Sequence, residues 1–239
     1  MLRVILVTLL LGVGGGAVWL LGFPHGGPAQ PVSPAADVDP APVAVAAAAP
    51  GAAGTVSGPL TGWAATVSAA TGIPARAVLA YGAAEFSLRA SDPGCHLAWN
   101  TLAGIGRVES DNGRYGGAEL RADGTESTPV IGVPLDGAPG VRNIPDTDHG
   151  VLDGDRSYDH AVGPMQFLPS TWRHYADPGA DPQNIDAAAV AAGRYLCAGR
   201  RDLGTAGGWW AGVLSYNDSV DYARRVFGLA DTYAAETSR

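Results

Sequence analysis

The sequence predicts a mainly α-helical domain that is interrupted by one loop-rich insertion. The first apolar residues of the domain follow the i, i+3, i+4, i+7 spacing of one helix face, namely Leu60, Trp63, Ala64 and Val67. Gly, Pro and Asp dominate residues 115–162 instead, which predicts loops with two or three short strands. Gly and Pro also make up 17 of the first 58 residues, so the domain is expected to begin after them, over residues 59–239.

Residues 1–23 are predicted to be a membrane anchor or a signal segment. Residues 4–23 carry no charge, and in a helix they would span the roughly 30 Å of a bilayer core. Arg3 adds positive charge on the inner side. A cleaved signal peptide and an uncleaved anchor both stay open, although no small-x-small site follows the run. Either one places the rest of the chain outside the cytoplasm, in the cell envelope or secreted.

Residues 24–58 are predicted to be a disordered linker rich in Pro and Ala. They contain no aromatic residue and no helical period, which is typical of a semi-extended spacer. The remaining residues are numerous enough to bury a sizeable core. Seven helices are expected there: around residues 60–67, from Pro74, at 97–113, 170–176, 186–198, 208–216 and 219–235.

Composition disfavours two classes of function. The net charge is −8 and all 15 basic residues are Arg, which argues against nucleic-acid binding because phosphates need a basic surface. Cys95 and Cys197 are the two cysteines, and with His96 they lack the C-x-x-C spacing of a zinc site. An even pair in an exported chain predicts a disulfide instead.

Glu109 is the carboxyl group best suited by its sequence context to act as a general acid. It shares a helix face with Leu102 and Ile105, at offsets of seven and four residues. Burial and the negative end of the helix dipole both disfavour its charged form, so we expect its pKa to be raised. A carboxyl that is protonated near neutral pH suits a general acid. A structural glutamate paired with Arg107 or Arg114 is the alternative.

Two further motifs carry side chains that suit a sugar ligand. The segment AVGPMQFLPSTW, residues 161–172, reads as a compact turn that runs into a helix. Its Gln166 offers a donor and an acceptor for hydroxyl and acetamido groups. The segment LSYN, residues 214–217, offers the apolar face and the hydroxyl of Tyr216. Each motif alone is more often a core segment or a helix cap than a ligand site.

Together and in this order, the motifs resemble the lytic transglycosylase family. The shared pattern is Glu-Ser at a helix end, then Gly-Pro-Met-Gln-Phe-x-Pro-Ser-Thr, then Tyr-Asn. The Met-Gln-Phe-x-Pro-Ser form is most similar to the lytic murein transglycosylase B type, in its actinobacterial exported members. The resemblance covers about residues 91–233. It implies a lysozyme-like helical domain with the insertion between the catalytic Glu and the Gly-Pro-Met-Gln-Phe motif.

The resemblance also implies roles for individual residues. Glu109 matches the single catalytic acid/base of a peptidoglycan lytic transglycosylase. Such an enzyme cleaves the MurNAc-β-1,4-GlcNAc bond and forms 1,6-anhydro-MurNAc ends. A monomer that acts on peptidoglycan strands without a cofactor is expected. The implied substrate-binding residues are Met165, Gln166, Tyr216, Asn217 and, nine residues before Gln166, Ser157.

Two alternatives and one departure from the family accompany this reading. A hydrolytic muramidase would need a second carboxylate, for which the candidates are Asp111, Asp148, Asp155 and Asp159. A non-catalytic peptidoglycan-binding module is the other alternative. Relatives often carry a calcium-loop-like stretch that residues 176–182 do not reproduce, and residues 146–159 also fail the pattern. We therefore expect no metal, and we expect residues 146–159 to form a solvated loop.

Overall fold

The computed structural model describes residues 58–238, and within them it confirms the prediction of a mainly helical domain. The predicted anchor and most of the predicted linker lie outside the described residues. Along residues 58–238, none of the helices combines the length and the apolar character that a membrane span requires. The α-helices of this part of the chain are α1 Gly58–Thr71, α2 Ala75–Ser91, α3 Trp99–Ser110, α4 Pro169–Tyr175, α5 Ile185–Cys197, α6 Ala206–Tyr216 and α7 Val220–Thr237.

Side-chain caps explain where the last three helices begin. The Asn184 side chain accepts hydrogen bonds from the first backbone N–H groups of α5. Thr205 does the same for α6, and Ser219 does so for α7. Each cap satisfies N–H groups that have no partner inside the helix. These starts agree with the predicted ones to within two residues.

The prediction of two or three short strands in the insertion is wrong. Residues 115–162 contain a short 3₁₀ turn at Tyr115–Gly117, and their pairing is limited to isolated antiparallel bridges such as Ile131 with Val162. In the acidic part of the insertion, aspartate side chains accept backbone N–H groups that a ladder would use. Asp148 alone accepts from Gly150, Val151 and Leu152.

The core places α3 in the middle of the domain. Trp99, Leu102 and Ile105 of α3 are fully buried. Gly104 lets α3 and α7 approach closely, since a Cβ added there would lie 2.9 Å from the Val226 carbonyl oxygen. This close packing brings the first turn of α7 alongside the last turn of α3, where Glu109 lies.

The predicted disulfide is present. Cys95 and Cys197 are bonded, their Cα atoms are 5.4 Å apart, and both residues are buried. The bond joins the segment before α3 to the last residue of α5, and it closes a loop of about a hundred residues. It therefore braces the helix that carries Glu109.

Candidate active site

Glu109 lies in the last turn of α3 and is half-buried. Burial raises the pKa of its carboxyl from 4.5 to about 7, and a hydrogen bond from Tyr222 partly opposes that rise. Leu102 and Ile105, which share its helix face, are fully buried. The apolar face that the helix period predicts therefore accounts for a carboxyl that is about half protonated at pH 7.

Tyr222 is a site residue that the sequence analysis missed. Its hydroxyl, on the first turn of α7, donates to Glu109 Oε1 over 2.6 Å. Burial and the nearby Glu109 charge raise the pKa of Tyr222 well above 10, so it stays a neutral donor. The Ser219 cap was the available clue, because it places Tyr222 in the first turn of a helix that follows the Tyr-Asn motif.

In the described part of the chain, no arginine forms an ion pair with Glu109. Arg107 and Arg114 both form ion pairs with Asp111 instead. Asp111 ends α3 by adopting a left-handed conformation, with φ of +55°, which Asp tolerates better than most residues. The helix therefore ends at Ser110, earlier than the predicted stop near Gly113. Among residues 58–238, no cation lowers the pKa of Glu109.

Ser110 joins the end of α3 to the Gly-Pro-Met-Gln-Phe turn. Its hydroxyl donates to the Pro164 carbonyl over 2.6 Å and accepts from the Gly113 backbone N–H over 2.8 Å. Both contacts are buried. In the Glu-Ser pair of the motif, Glu109 therefore carries the carboxyl with the raised pKa, and Ser110 holds the neighbouring turn in place.

The turn itself depends on left-handed backbone. Gly163 has φ of +75°, and a Cβ there would lie 1.9 Å from the Pro182 carbonyl oxygen. Reciprocal backbone hydrogen bonds between Val162 and Phe167 close the turn. Gln166 also has positive φ, +49°, which is uncommon for this residue type and indicates a conformation imposed by the surroundings.

Gln166 points its amide back into the turn. Its Nε2 donates to the Gly163 carbonyl over 2.9 Å, and its Oε1 lies 3.0 Å from the place where a Gly132 Cβ would be. His160 contacts the Gly132 carbonyl through Nδ1 at 2.8 Å and Asp155 through Nε2 at 3.2 Å. The insertion thus holds the residues that contact Gln166, another role that the motif alone does not reveal.

Three other predicted substrate-binding residues, Met165, Tyr216 and Asn217, lie on the Gly-Pro-Met-Gln-Phe turn and at the end of α6. The Tyr216 hydroxyl donates to the Met165 carbonyl over 2.7 Å. Burial and then the nearby Glu109 charge raise the pKa of Tyr216 well above 10, so these residues lie together. The Met165 side chain is fully buried. Asn217 ends α6, directly after Tyr216.

Ser157 is the predicted residue that the structure does not bring to Glu109. It is exposed, its backbone N–H donates to Asp155, and its carbonyl accepts from the backbone of Asp146. All of these contacts stay within the acidic part of the insertion. The local reason is that Asp155 bends the chain at Ser157 through an Asx-type turn.

The acidic part of the insertion is less solvated than expected. Asp159 is fully buried, and its two oxygens accept from the backbone N–H and the hydroxyl of Thr147. One oxygen each of Asp146, Asp148 and Asp159 lie within 4.8 Å of one another, which is a spacing that could hold a cation. The three carboxylates already accept protein hydrogen bonds, which account for their positions without an ion.

Glu126 is a second carboxyl with a raised pKa. It is 4% exposed, and among the described residues neither of its oxygens finds a hydrogen-bond partner. Burial raises its pKa from 4.5 to about 7. It lies against Gly113, just after α3, where a Cβ would be 2.8 Å from Glu126 Oε1. It was not predicted, because an isolated Glu in a loop has no periodic pattern to mark its burial.

We expect Glu126→Gln to flatten the pH dependence of stability. The folded-state pKa lies above the unfolded one, so the free energy of unfolding falls as pH rises from about 5 through 7. The loss from this carboxyl amounts to at most about 3 kcal/mol. Urea unfolding at pH 5 and pH 8 measures this loss of stability. Glu119→Gln, which changes an exposed glutamate, is the control. If the free energy of unfolding changes between pH 5 and pH 8 by the same amount in Glu126→Gln as in the unchanged chain, the raised pKa of Glu126 is contradicted.

Comparison of the chain with models of protein families, with curated proteins and with solved structures gave no match. The site is therefore defined by its own geometry. It consists of a half-buried carboxyl with a raised pKa, a tyrosine donor from α7, and a turn that carries Gln166.

Proposed function

We propose that this chain is a peptidoglycan lytic transglycosylase in which Glu109 is the single acid/base. The observation that carries the proposal is the Glu109 carboxyl, whose pKa of about 7 leaves it protonated for a large part of the time at neutral pH. The next residue, Ser110, donates to the Pro164 carbonyl in the turn that carries Gln166. Gln166 adds a polar side chain suited to sugar hydroxyl and acetamido groups. The resemblance of the three motifs to lytic transglycosylases supplies the substrate.

The proposed reaction uses one carboxyl twice. Glu109 donates its proton to the glycosidic oxygen as the bond from that oxygen to C1 of MurNAc breaks. The 2-acetamido group of the substrate stabilises the positive charge that develops at C1, as in substrate-assisted glycosidases. The C6 hydroxyl of the same sugar then attacks C1 and returns a proton to Glu109. The products are a 1,6-anhydro-MurNAc end and a free GlcNAc 4-hydroxyl, so protons and bonds balance.

A muramidase, which needs a second carboxylate, is less well supported by the surroundings of the four candidate aspartates. Asp111 forms ion pairs with two arginines, and Asp159 is buried against Thr147. Asp155 contacts His160, and Asp148 accepts backbone N–H groups. All four are therefore engaged in local structure.

Product mass tests the reaction type. Purified chain is incubated with peptidoglycan, and the soluble fragments are analysed by mass spectrometry. The proposal expects anhydro products that are one water molecule lighter than hydrolytic ones. Reducing ends alone would indicate a muramidase, and wall binding without soluble fragments would indicate a binding module. A separate measurement, sequencing of the amino terminus of the exported protein, tests whether residues 1–23 are removed as a signal peptide or kept as an anchor.

We expect Tyr222→Phe to lower the turnover number and shift its pH profile. The Tyr222 hydroxyl lowers the Glu109 pKa through its hydrogen bond, so its removal raises that pKa further. The alkaline limb of the activity profile should then move up by about one pH unit. Tyr233→Phe, which removes a hydroxyl about three turns further along α7, is the control. A reduced rate with an unchanged limb would contradict direct coupling of Tyr222 to Glu109.

A further inference from the structure

The insertion holds a histidine against the backbone that lies behind Gln166. The His160 side chain is 14% exposed, and its Nδ1 lies 2.8 Å from the Gly132 carbonyl oxygen. Its Nε2 lies 3.2 Å from a carboxylate oxygen of Asp155. Both partners are acceptors, so the ring serves as the donor to each of them. His160 therefore bridges Asp155 and the Gly132 peptide group.

The main chain around this bridge is fixed as well. The Asp153 carboxylate accepts from the His160 backbone N–H over 2.9 Å and from the Asp155 backbone N–H over 3.0 Å. One side chain thus sets the spacing between the two residues of the bridge. The Gly132 N–H donates to the Ala161 carbonyl over 2.8 Å. Both polar groups of the Gly132 backbone are therefore engaged, and the insertion determines where Gly132 lies.

Gly132 in turn lies against the acceptor end of the Gln166 amide. Gln166 Nε2 donates to the Gly163 carbonyl over 2.9 Å and to the Ala161 carbonyl over 3.4 Å, so its protons face the protein. Gln166 Oε1 lies 3.0 Å from the position of a Cβ added at Gly132. Gln166 is half-buried, and within residues 58–238 no group donates to Oε1. This end of the amide can accept from a sugar hydroxyl or N–H group.

We propose that His160 is a positioning residue, which together with Gly132 holds the Gln166 amide so that Oε1 accepts a hydrogen bond from the glycan. The inference rests on the proposed function, because that function supplies the glycan. It adds a contribution of the insertion to substrate binding that the three motifs do not contain. His160 acts through Gly132 and Gln166, so its replacement should affect binding rather than proton transfer at Glu109.

Two variants of the full-length chain separate the two contacts of His160. His160→Asn keeps a donor near Nδ1, toward Gly132, whereas His160→Gln keeps a donor near Nε2, toward Asp155. We expect KM for soluble glycan strands to rise about tenfold in His160→Gln, the contribution of one hydrogen bond, with kcat changed by less than about twofold. His160→Asn should leave both constants within about twofold of the unchanged chain. His174→Phe, which replaces an exposed histidine of α4, is the control.

Gly132→Ala tests the positioning from the other partner. The φ of Gly132 lies outside the left-handed region, so the backbone accepts an alanine, and the new Cβ should displace the Gln166 amide. We expect KM to rise about threefold, because the hydrogen bond to the glycan is weakened. Gly94→Ala, where nothing lies within 4 Å of the added Cβ, should leave KM unchanged. A lower kcat without a higher KM in His160→Gln or Gly132→Ala would overturn the inference, because a loss of folded protein alone has that effect.

The NMR resonances of the Gln166 side-chain amide provide a readout that is independent of cleavage. They are identified in the isotope-labelled full-length chain by their absence from Gln166→Leu. His160→Gln and Gly132→Ala should shift them, whereas His160→Asn and His174→Phe should not. Unmoved resonances in His160→Gln would overturn the inference. Absence of anhydro products from the unchanged chain would refute the proposed function instead, and the amide resonances would still decide whether His160 positions Gln166.

Discussion

Glu109→Gln is expected to reduce glycan cleavage by about a thousandfold or more, because the reaction loses its general acid and its base at once. Glutamine has nearly the same shape, and its carbonyl oxygen can still accept the Tyr222 hydrogen bond. The fold should therefore persist while the transferable proton is absent. The rate of release of anhydro-muropeptides from purified peptidoglycan measures the effect, and circular dichroism checks the fold.

Glu126→Gln is the matched control for this experiment. Glu126 has the same raised pKa of about 7 and the same cause, burial, but within residues 58–238 its carboxyl oxygens accept no hydrogen bond. It should retain most of the activity. Full activity in Glu109→Gln would refute the assignment of the acid, and loss in both variants would point to a general effect on folding.

The pH profile of the unchanged chain follows from the same group. Glu109 must be protonated to donate, and its pKa is about 7. Activity should therefore fall as the pH rises above about 7. A profile that stays flat up to pH 9 would contradict Glu109 as the acid in this environment.

Gly163→Ala is expected to lower the free energy of unfolding by about 2–5 kcal/mol, the sum of backbone strain and overpacking. Two costs combine. An alanine at φ of +75° pays about 1–2 kcal/mol for the left-handed backbone. The larger cost comes from the Pro182 carbonyl oxygen, 1.9 Å from the new Cβ, which is backbone and cannot rotate away. Urea unfolding of the purified chain measures the change.

Gly199→Ala separates the two costs. Gly199 has nearly the same φ, +72°, but nothing lies within 4 Å of the added Cβ. It should lose only the backbone part, about 1–2 kcal/mol. Equal losses in the two variants would show that the contact with Pro182 adds nothing. A larger loss at Gly163 would accompany a displaced Gln166 turn and hence weaker substrate binding.

The helices were predictable because each has a local pattern. The apolar spacing from Leu60 and the caps at Asn184 and Ser219 place helices to within a few residues. The insertion was not predictable in the same way. Whether a short apolar piece near Ile131 becomes a strand depends on a partner strand, and there the Val130 N–H donates to the Gln183 side chain instead of to a neighbouring strand.

The site was predictable only in part, for a related reason. Glu109 and the Gly163–Phe167 turn are marked by local motifs and by the helix face that Glu109 shares with Leu102. Tyr222 lies 113 residues from Glu109 in sequence, and no periodicity connects the two. The raised pKa of Glu126 likewise depends on neighbours that local sequence does not identify.

The sequence by itself determined the helical class, the pairing of the two cysteines, and the position of an acid at the end of a helix on an apolar face. These follow from local periodicity, from cysteine number and from turn chemistry, which act over a few residues. Only the tertiary structure decided that Tyr222 donates to Glu109, that Ser110 holds Pro164, and that a groove lies between residues 147–152 and α4. Those features arise from the packing of α3, α4 and α7 against segments that are distant in sequence. Such packing produces no pattern in the local sequence.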